Sequence, residues 1–264
     1  MQELSLLLIF LVIHVAFYFA KRDNKLVYMD IAWGLGFFII ALVGYLTNVS
    51  TKPKLFLLLM VALWGLRLSV HCFLRQKKEG EDWRYKKLKT NWGSNWLMES
   101  YKKVFLFQGL MMFFISLPVQ LGMTGLWDYF SKTHLIGMML FLFGFGFEVY
   151  ADYTLLVFKR KNPGTICTVG VWKLCRFPHY LGEIILWIGI YIYIFNFWSS
   201  WTIIGPAILI FCLIKVTGIP MVEEKLLLNP DYQVYAKNIP RLWPITKSRI
   251  KYFWTNLYLE KKSH

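Results

Sequence analysis

Seven runs of predominantly apolar residues organise the sequence, at 4–20, 29–47, 55–74, 103–121, 134–157, 181–197 and 200–219. A helix rises about 1.5 Å per residue, so a run of roughly 17 to 25 apolar residues is long enough to cross the hydrocarbon core of a bilayer. The chain therefore reads as an all-α polytopic membrane protein with about seven transmembrane helices. A hydrophobic content of 57%, an aromatic content of 19% and a mean hydropathy of +0.45 lie outside the range of soluble globular domains. No basic region precedes the first run and no small-residue cleavage site follows it, so it reads as a retained span rather than a signal peptide. No internal repeat or low-complexity tract divides the chain, and residues 1–264 read as a single membrane-embedded domain.

The net charge of +15 raises the question of nucleic acid. A nucleic-acid binder carries its cations along a soluble face, whereas here they cluster between apolar runs, which excludes that partner. Lys21, Arg22 and Lys25 follow the first run; residues 75–103 are heavily basic; Lys159, Arg160 and Lys161, then Lys173 and Arg176, follow the fifth. Lys225, Lys237, Arg241, Lys247, Arg249 and Lys251 follow the seventh, while the alternate loops at 48–54, 122–133 and 196–200 are short and lightly charged. The positive-inside rule then places the N-terminus outside and the C-terminus in the cytoplasm. Residues 82–103 mix Trp83, Trp92, Trp96 and Leu97 with Arg84, Lys86, Lys87 and Lys89, a pattern that suits an amphipathic interfacial element. Residues 221–238, with Pro240 just beyond, suit a second surface helix or helix pair. Cys72 and Cys212 fall in expected helices and Cys167 and Cys175 in a loop, without metal-type spacing, so neither a disulfide framework nor a zinc site is expected.

The polar residues that interrupt the apolar runs are the candidates for chemistry. Glu148 and Asp152 are four apart and share one helix face. Ionisable groups inside a span are costly and face a cavity or a partner; the other reading is that the fifth span ends early and both carboxylates reach water. The basic loop that follows contains Gly164 and Gly170, which permit close approach to a ligand, and its cations suit phosphate. Topology alone also accounts for that charge. Pro178 suits the first turn of a helix on which His179 and Glu183 lie four apart, with Gly182 leaving space beside them. Two such ligands make a poor metal site, and hydrogen bonding to a polar cofactor fits better; an ordinary helix start facing water is the alternative.

Arg67, His71 and Arg75 form a polar stripe near the end of the third run, with Asp30, Glu148 and Asp152 as possible partners for the deeper two. Arg75 can also snorkel to the surface. Gly80-Glu81-Asp82 with Trp83-Arg84-Tyr85 is dense in groups able either to bond a ligand or to cap a helix, and Asp30 either joins such a set or faces water. No Walker loop and no strand-linked Gly-x-Gly-x-x-Gly occurs, so a nucleotide would have to bind in a helical membrane cavity.

Taken together, these pieces resemble the steroid 5-alpha reductase superfamily, and most closely its bacterial branch of uncharacterised membrane proteins. The matching residues are Trp64 with Arg67, His71 and Arg75; Gly80-Glu81-Asp82 with Arg84-Tyr85; Asn162-Pro163-Gly164; Gly170-Val171-Trp172; and residues 176–183. Thr217-Gly218-Ile219-Pro220, Glu223-Glu224, and Asp231-Tyr232 with Tyr235 complete the set. The resemblance implies a seven-helix reductase with NADPH in a cavity open to the cytoplasm and hydride transfer to an activated carbon–carbon double bond of a steroid-like or other lipid. It implies cofactor contacts from Asp152, Lys159, His179, Tyr180, Glu183, Glu223 and Tyr235. Glu148, Arg160 and Arg176 join them from the carboxylate face and the basic loop. An acid positioned at the carbonyl oxygen lowers the barrier to enone reduction. Cys72 stands where steroid reductases carry a tyrosine for this purpose, which leaves His71, Glu81 and Tyr85 as the candidates.

A membrane methyltransferase resembling the isoprenylcysteine carboxyl methyltransferases is the competing expectation, because that group shares an Arg-x-Pro-x-Tyr stretch and a later Glu-Glu pair. NADPH needs cations for its phosphates and S-adenosylmethionine does not, so the basic residues between 159 and 176 favour the reductase. A non-enzymatic lipid-binding protein would leave the carboxylates within the spans without a purpose.

Overall fold

The computed structural model describes residues 1–125 and 129–243, and every regular element among them is helical. Lys247, Arg249 and Lys251, counted above among the basic tail residues, lie outside the described residues.

Each long helix stops where its sequence supplies a terminator. α1 (Gln2–Asp23) carries Lys21 and Arg22 in its last turn and ends at Asn24, which takes the left-handed conformation with φ 53° and donates its N–H to Ala20. α2 (Tyr28–Thr47) ends at Asn48, whose amide side chain donates to the Gly44 carbonyl at 2.8 Å. α3 (Lys52–Glu79) opens with Pro53 in its first turn and closes at Gly80, with φ 74°. α4 (Trp83–Trp92) and α5 (Trp96–Ser100) lead through a π-helical turn at Tyr101–Leu106 into α6 (Phe107–Ile115). α7 (Leu117–Thr124) follows at a bend of 45°, with Pro118 in its first turn. α8 (Lys132–Lys161) is continuous over 30 residues. α9 (Pro178–Tyr193), α10 (Ile204–Phe211), α11 (Ile219–Leu226) and α12 (Pro230–Asn238) complete the chain.

All seven expected runs are helical, and they differ in length. Five helical stretches among the described residues are long and apolar enough to cross a membrane, and the count is six if the bent pair from Trp83 to Thr124 is one span. The remaining run, the sixth at 181–197, is α9, whose 16 residues fall just below the roughly 17 to 25 of a typical span. Asn196 ends that stretch. Its side chain accepts from Ser199 N–H at 2.8 Å while Ser199 Oγ accepts from Asn196 N–H at 2.7 Å, a reciprocal cap that starts the next helix. The expected surface segment at 221–238 is a helix pair, α11 and α12. The protein is thus an all-α polytopic membrane protein.

Contacts gather into two compact units: Met1–Leu142 with Leu186–Cys212, and Phe143–Ile185 with Leu213–His264. In the first, α2 and α3 approach closely enough that a β-carbon on Gly34 would collide with the Gly65 carbonyl, and Ser69 Oγ donates to the Ile31 carbonyl at 2.8 Å. The small residues let two backbones touch, the usual solution where lipid gives no hydrophobic drive to helix pairing. Phe37, Trp64 and Trp187 meet edge to face at 5.0 to 5.5 Å and fill the centre of that unit.

In the second unit, α8 and α9 pack on Gly182, where a β-carbon would lie 2.7 Å from both Glu148 N and the Gly144 carbonyl. Trp172 Nε1 donates to the Ala151 carbonyl at 3.0 Å, pinning the loop after α8 to the helix it left. Arg176 and Phe177 donate their backbone N–H groups to the carbonyls of Pro240 and Arg241 at 2.9 and 3.1 Å, which ties the start of α9 to the segment beyond α12.

Candidate functional site

The first unit gathers the polar residues of residues 75–89 around Asp30. Tyr85 donates its phenol to Asp30 Oδ1, and Arg75 and Arg84 lie 3.7 and 3.8 Å from Oδ2. Asp82 accepts from the Arg84 backbone at 2.9 Å and twice from its guanidinium at 3.0 Å, and lies 3.4 Å from Arg75. Burial pushes the Asp82 carboxyl up, but the hydrogen bonds and charge of Arg84, with Arg75 behind, outweigh that and hold it below the usual carboxylate range. Arg75 is therefore paired rather than simply reaching for the surface, and Asp30 joins this set, with 17% of its side chain exposed.

Between capping and ligand binding, the two readings left open for this stretch, the geometry shows capping for one residue and a tie between elements for another. Asp82 is the N-cap of α4. Glu81 Oε1 accepts from Leu26 N–H at 2.7 Å, and its Oε2 lies 2.7 Å from Lys89 Nζ, which also reaches the Asn24 carbonyl at 2.7 Å. Glu81 thus ties the turn between α1 and α2 to α4. Of the three proposed acids, Tyr85 is buried at the centre of this cluster, while His71 is half-buried on α3, four residues before Arg75.

The second unit holds the residues named for cofactor binding. α8 runs nine residues past Asp152, so the helix does not end early, and Glu148 is buried at 4% exposure. Asp152, His179, Tyr180 and Glu183 are half-buried. Glu148 abuts Gly182, so it lies against the turn of α9 that carries His179 and Glu183. The His179 ring lies 5.6 Å from Trp172 and 4.1 Å from Tyr180, and the Trp172 carbonyl accepts from the Tyr235 phenol. Tyr235 meets Tyr232 at 5.7 Å, and Arg176 lies 6.0 Å over the Tyr232 ring. Arg176 Nη1 donates to Glu223 Oε1, and Arg241 Nη2 sits 2.7 Å from Oε2. Eight of the ten residues named for the cofactor are joined in this way or share the same helix faces. The other two, Lys159 and Arg160, are exposed on the last turn of α8.

Arg176 and Glu223 contact each other, which neither residue's local sequence announces. The pairing leaves one opening: Arg176 Nε is buried and meets no acceptor. Burial raises the Tyr232 phenol to about 12, with Glu223 adding to the shift and Arg176 opposing it, and burial likewise raises Tyr235. The same cause raises the Cys175 thiol to about 11, so this loop cysteine is a poor nucleophile. Among the described residues, no group of three or more His, Cys, Asp or Glu side chains is placed to hold a metal ion. Sequence reasoning passed over Arg241 as one more tail cation and gave Trp172 and Tyr232 no role.

Fold and site together define a multi-pass helical membrane protein with one ion-paired cluster in each of its two units. A model of the family described as a protein of unknown function (DUF1295) matches residues 16–239, and the chain belongs to that family. No curated protein and no solved structure matches the chain.

Proposed function

We propose that the protein is an NADPH-dependent reductase that saturates an activated carbon–carbon double bond of a steroid-like or other lipid, with the second unit holding the cofactor. The observation that carries this reading is the buried Arg176 Nε donor without an acceptor. An unmet donor on a buried guanidinium costs free energy, and an anionic oxygen of a dinucleotide supplies the missing acceptor. Lys159, Arg160 and Lys173 are exposed in the same unit and suit the remaining phosphate charge. The residue set thus fits the group. Glu148, Asp152, His179 and Glu183 offer hydrogen-bond partners for its uncharged parts, and the resemblance to the steroid 5-alpha reductase superfamily supports the same assignment.

Hydride is the chemistry that the cofactor supplies when bound. The chain's own task is to hold a donor at the carbonyl oxygen of the substrate, where negative charge develops as the β-carbon is reduced. Glu81 is set aside for this task, because both its oxygens are engaged in holding Leu26 and Lys89; His71 stays a candidate beside Tyr85, whose phenol proton is given to Asp30. The topology that goes with this reading has the N-terminus outside and the C-terminus cytoplasmic, which requires α9 to cross as a short seventh span; the lysines and arginines in the last turns of α1, α3 and α8 support it.

The test is NADPH binding to the detergent-purified chain, followed by thermal shift. Stabilisation of the wild type that disappears in Glu183→Ala supports the site. An unchanged shift in that variant removes Glu183 from it, and stabilisation by S-adenosylmethionine alone overturns the reductase in favour of the methyltransferase.

A further inference from the structure

Phe197 and Trp198, in the turn between α9 and α10, are 83% and 82% exposed, and their rings meet edge to face at 5.6 Å. Phe195, Trp201 and Ile203 beside them are exposed as well. Large apolar side chains gathered on one surface mark an interaction site.

The chain around this turn has no charge to hold it in water. No residue from 184 to 214 is charged, whereas the turns at 48–54 and 122–133 carry Lys52, Lys54, Asp128 and Lys132. The connection is also short, because residues 194–196 alone join the end of α9 to the helical stretch that starts at Phe197.

The polar groups of the turn face inward. Ser199 Oγ donates to the Ile194 carbonyl at 2.8 Å, Ser200 Oγ to the Phe197 carbonyl at 2.9 Å and Thr202 Oγ1 to the Ser199 carbonyl at 2.7 Å. The Tyr191 phenol donates to the Ser200 carbonyl at 3.1 Å, and the reciprocal Asn196–Ser199 cap satisfies two backbone N–H groups. Water would supply partners for such groups, and a turn among lipids has to supply its own.

We propose that this turn docks into the bilayer, at the boundary between headgroups and acyl chains of the leaflet opposite the basic loops. Phe197 and Trp198 lie among the lipids there, as aromatic residues do at membrane interfaces, and the closed hydrogen bonds let the backbone follow them. α9 then completes its crossing with 16 residues, since neither its end nor the turn has to reach bulk water. The placement concerns the turn alone and holds whether or not the protein binds a nicotinamide cofactor.

Spin labels on the full chain in phosphatidylcholine vesicles test this, attached singly through Phe197→Cys and Trp198→Cys. Leu11→Cys, exposed in the apolar run of α1, serves as the lipid reference, and Lys237→Cys, exposed on α12, as the aqueous one. The four native cysteines are buried, and labelled wild type supplies the background. Both turn side chains are exposed, so the two variants are expected to fold. Oxygen, which concentrates in lipid, is expected to relax the labels at 197 and 198 more than a water-soluble nickel chelate does, as at position 11, with the opposite order at position 237. The order of position 237 at both turn sites would place the turn in water and overturn the proposal. Shielding of both labels from both reagents would overturn it too, in favour of a protein cover; dipolar broadening lost on dilution with unlabelled chain would identify that cover as a second copy.

Discussion

Glu223 Oε2 lies 2.7 Å from Arg241 Nη2 while its other oxygen accepts from Arg176, so one buried carboxylate holds two guanidiniums of very different exposure. Arg241 is 59% exposed and Arg176 10%. Removing one member of a buried pair strands the other and costs roughly 3–5 kcal/mol, whereas an exposed pair is worth about 0–1 kcal/mol. Glu223→Gln is therefore expected to lower the thermal midpoint in detergent far more than Arg241→Ala. Equal losses in the two variants would mean that the partners contribute alike.

Helix packing in the second unit gives a contrast between two glycines of one region. A β-carbon at Gly182 would lie 2.7 to 2.8 Å from the backbone and side chain of Glu148 and from the Gly144 carbonyl, whereas one at Gly146 meets nothing within 4 Å. Gly182→Ala should destabilise by about 1–3 kcal/mol or more, because overpacked backbones cannot move aside. Gly146→Ala should be neutral or stabilising by up to about 1 kcal/mol, the helix-propensity gain. Thermal midpoints of the two variants check the pair, and a neutral Gly182→Ala would contradict the close packing.

Asp82 gives the first unit an acid-sensitive contact. Its folded pKa is lowered by Arg84 and Arg75, so its contribution is fully present above the ordinary carboxylate value near ~4. That contribution fades as pH falls through the lower folded value. Asp82→Asn should thus reduce the thermal midpoint at neutral pH, with the difference from wild type shrinking below about pH 4. A difference that does not change with pH would show that Asp82 acts through its shape rather than its charge.

Much of the fold was legible because apolar runs report helices directly. Every expected run is helical, Pro178 opens the helix it was read as opening, and the segment at 221–238 is a helix pair. The count of spans was less legible. Pro118 opens a bent second piece of the fourth run, and the Asn196–Ser199 cap cuts the sixth short, both local features inside stretches of uninterrupted apolar composition. In the site, periodicity placed Glu148 with Asp152 and His179 with Glu183 on shared faces. It said nothing about Arg176 and Glu223, 47 residues apart, or Asp30 and Tyr85, 55 apart, since such pairings arise only when helices fold together. For that reason Asp30 was left with water as one of its partners and Arg176 was read without its carboxylate partner.

The central claim is that the second unit binds a phosphate-bearing nicotinamide cofactor. Its most direct test is the thermal shift of the purified chain with NADPH, NADH and S-adenosylmethionine, repeated for Arg176→Gln and for the double variant Lys159→Glu with Arg160→Glu. Lys159 and Arg160 are exposed, so the double variant is expected to fold. The account predicts stabilisation of the wild type by NADPH, a smaller effect of NADH, none from S-adenosylmethionine, and loss of the NADPH effect in Arg176→Gln with weakening in the double variant. Stabilisation by S-adenosylmethionine alone, or an NADPH effect that survives all of these substitutions, would contradict it.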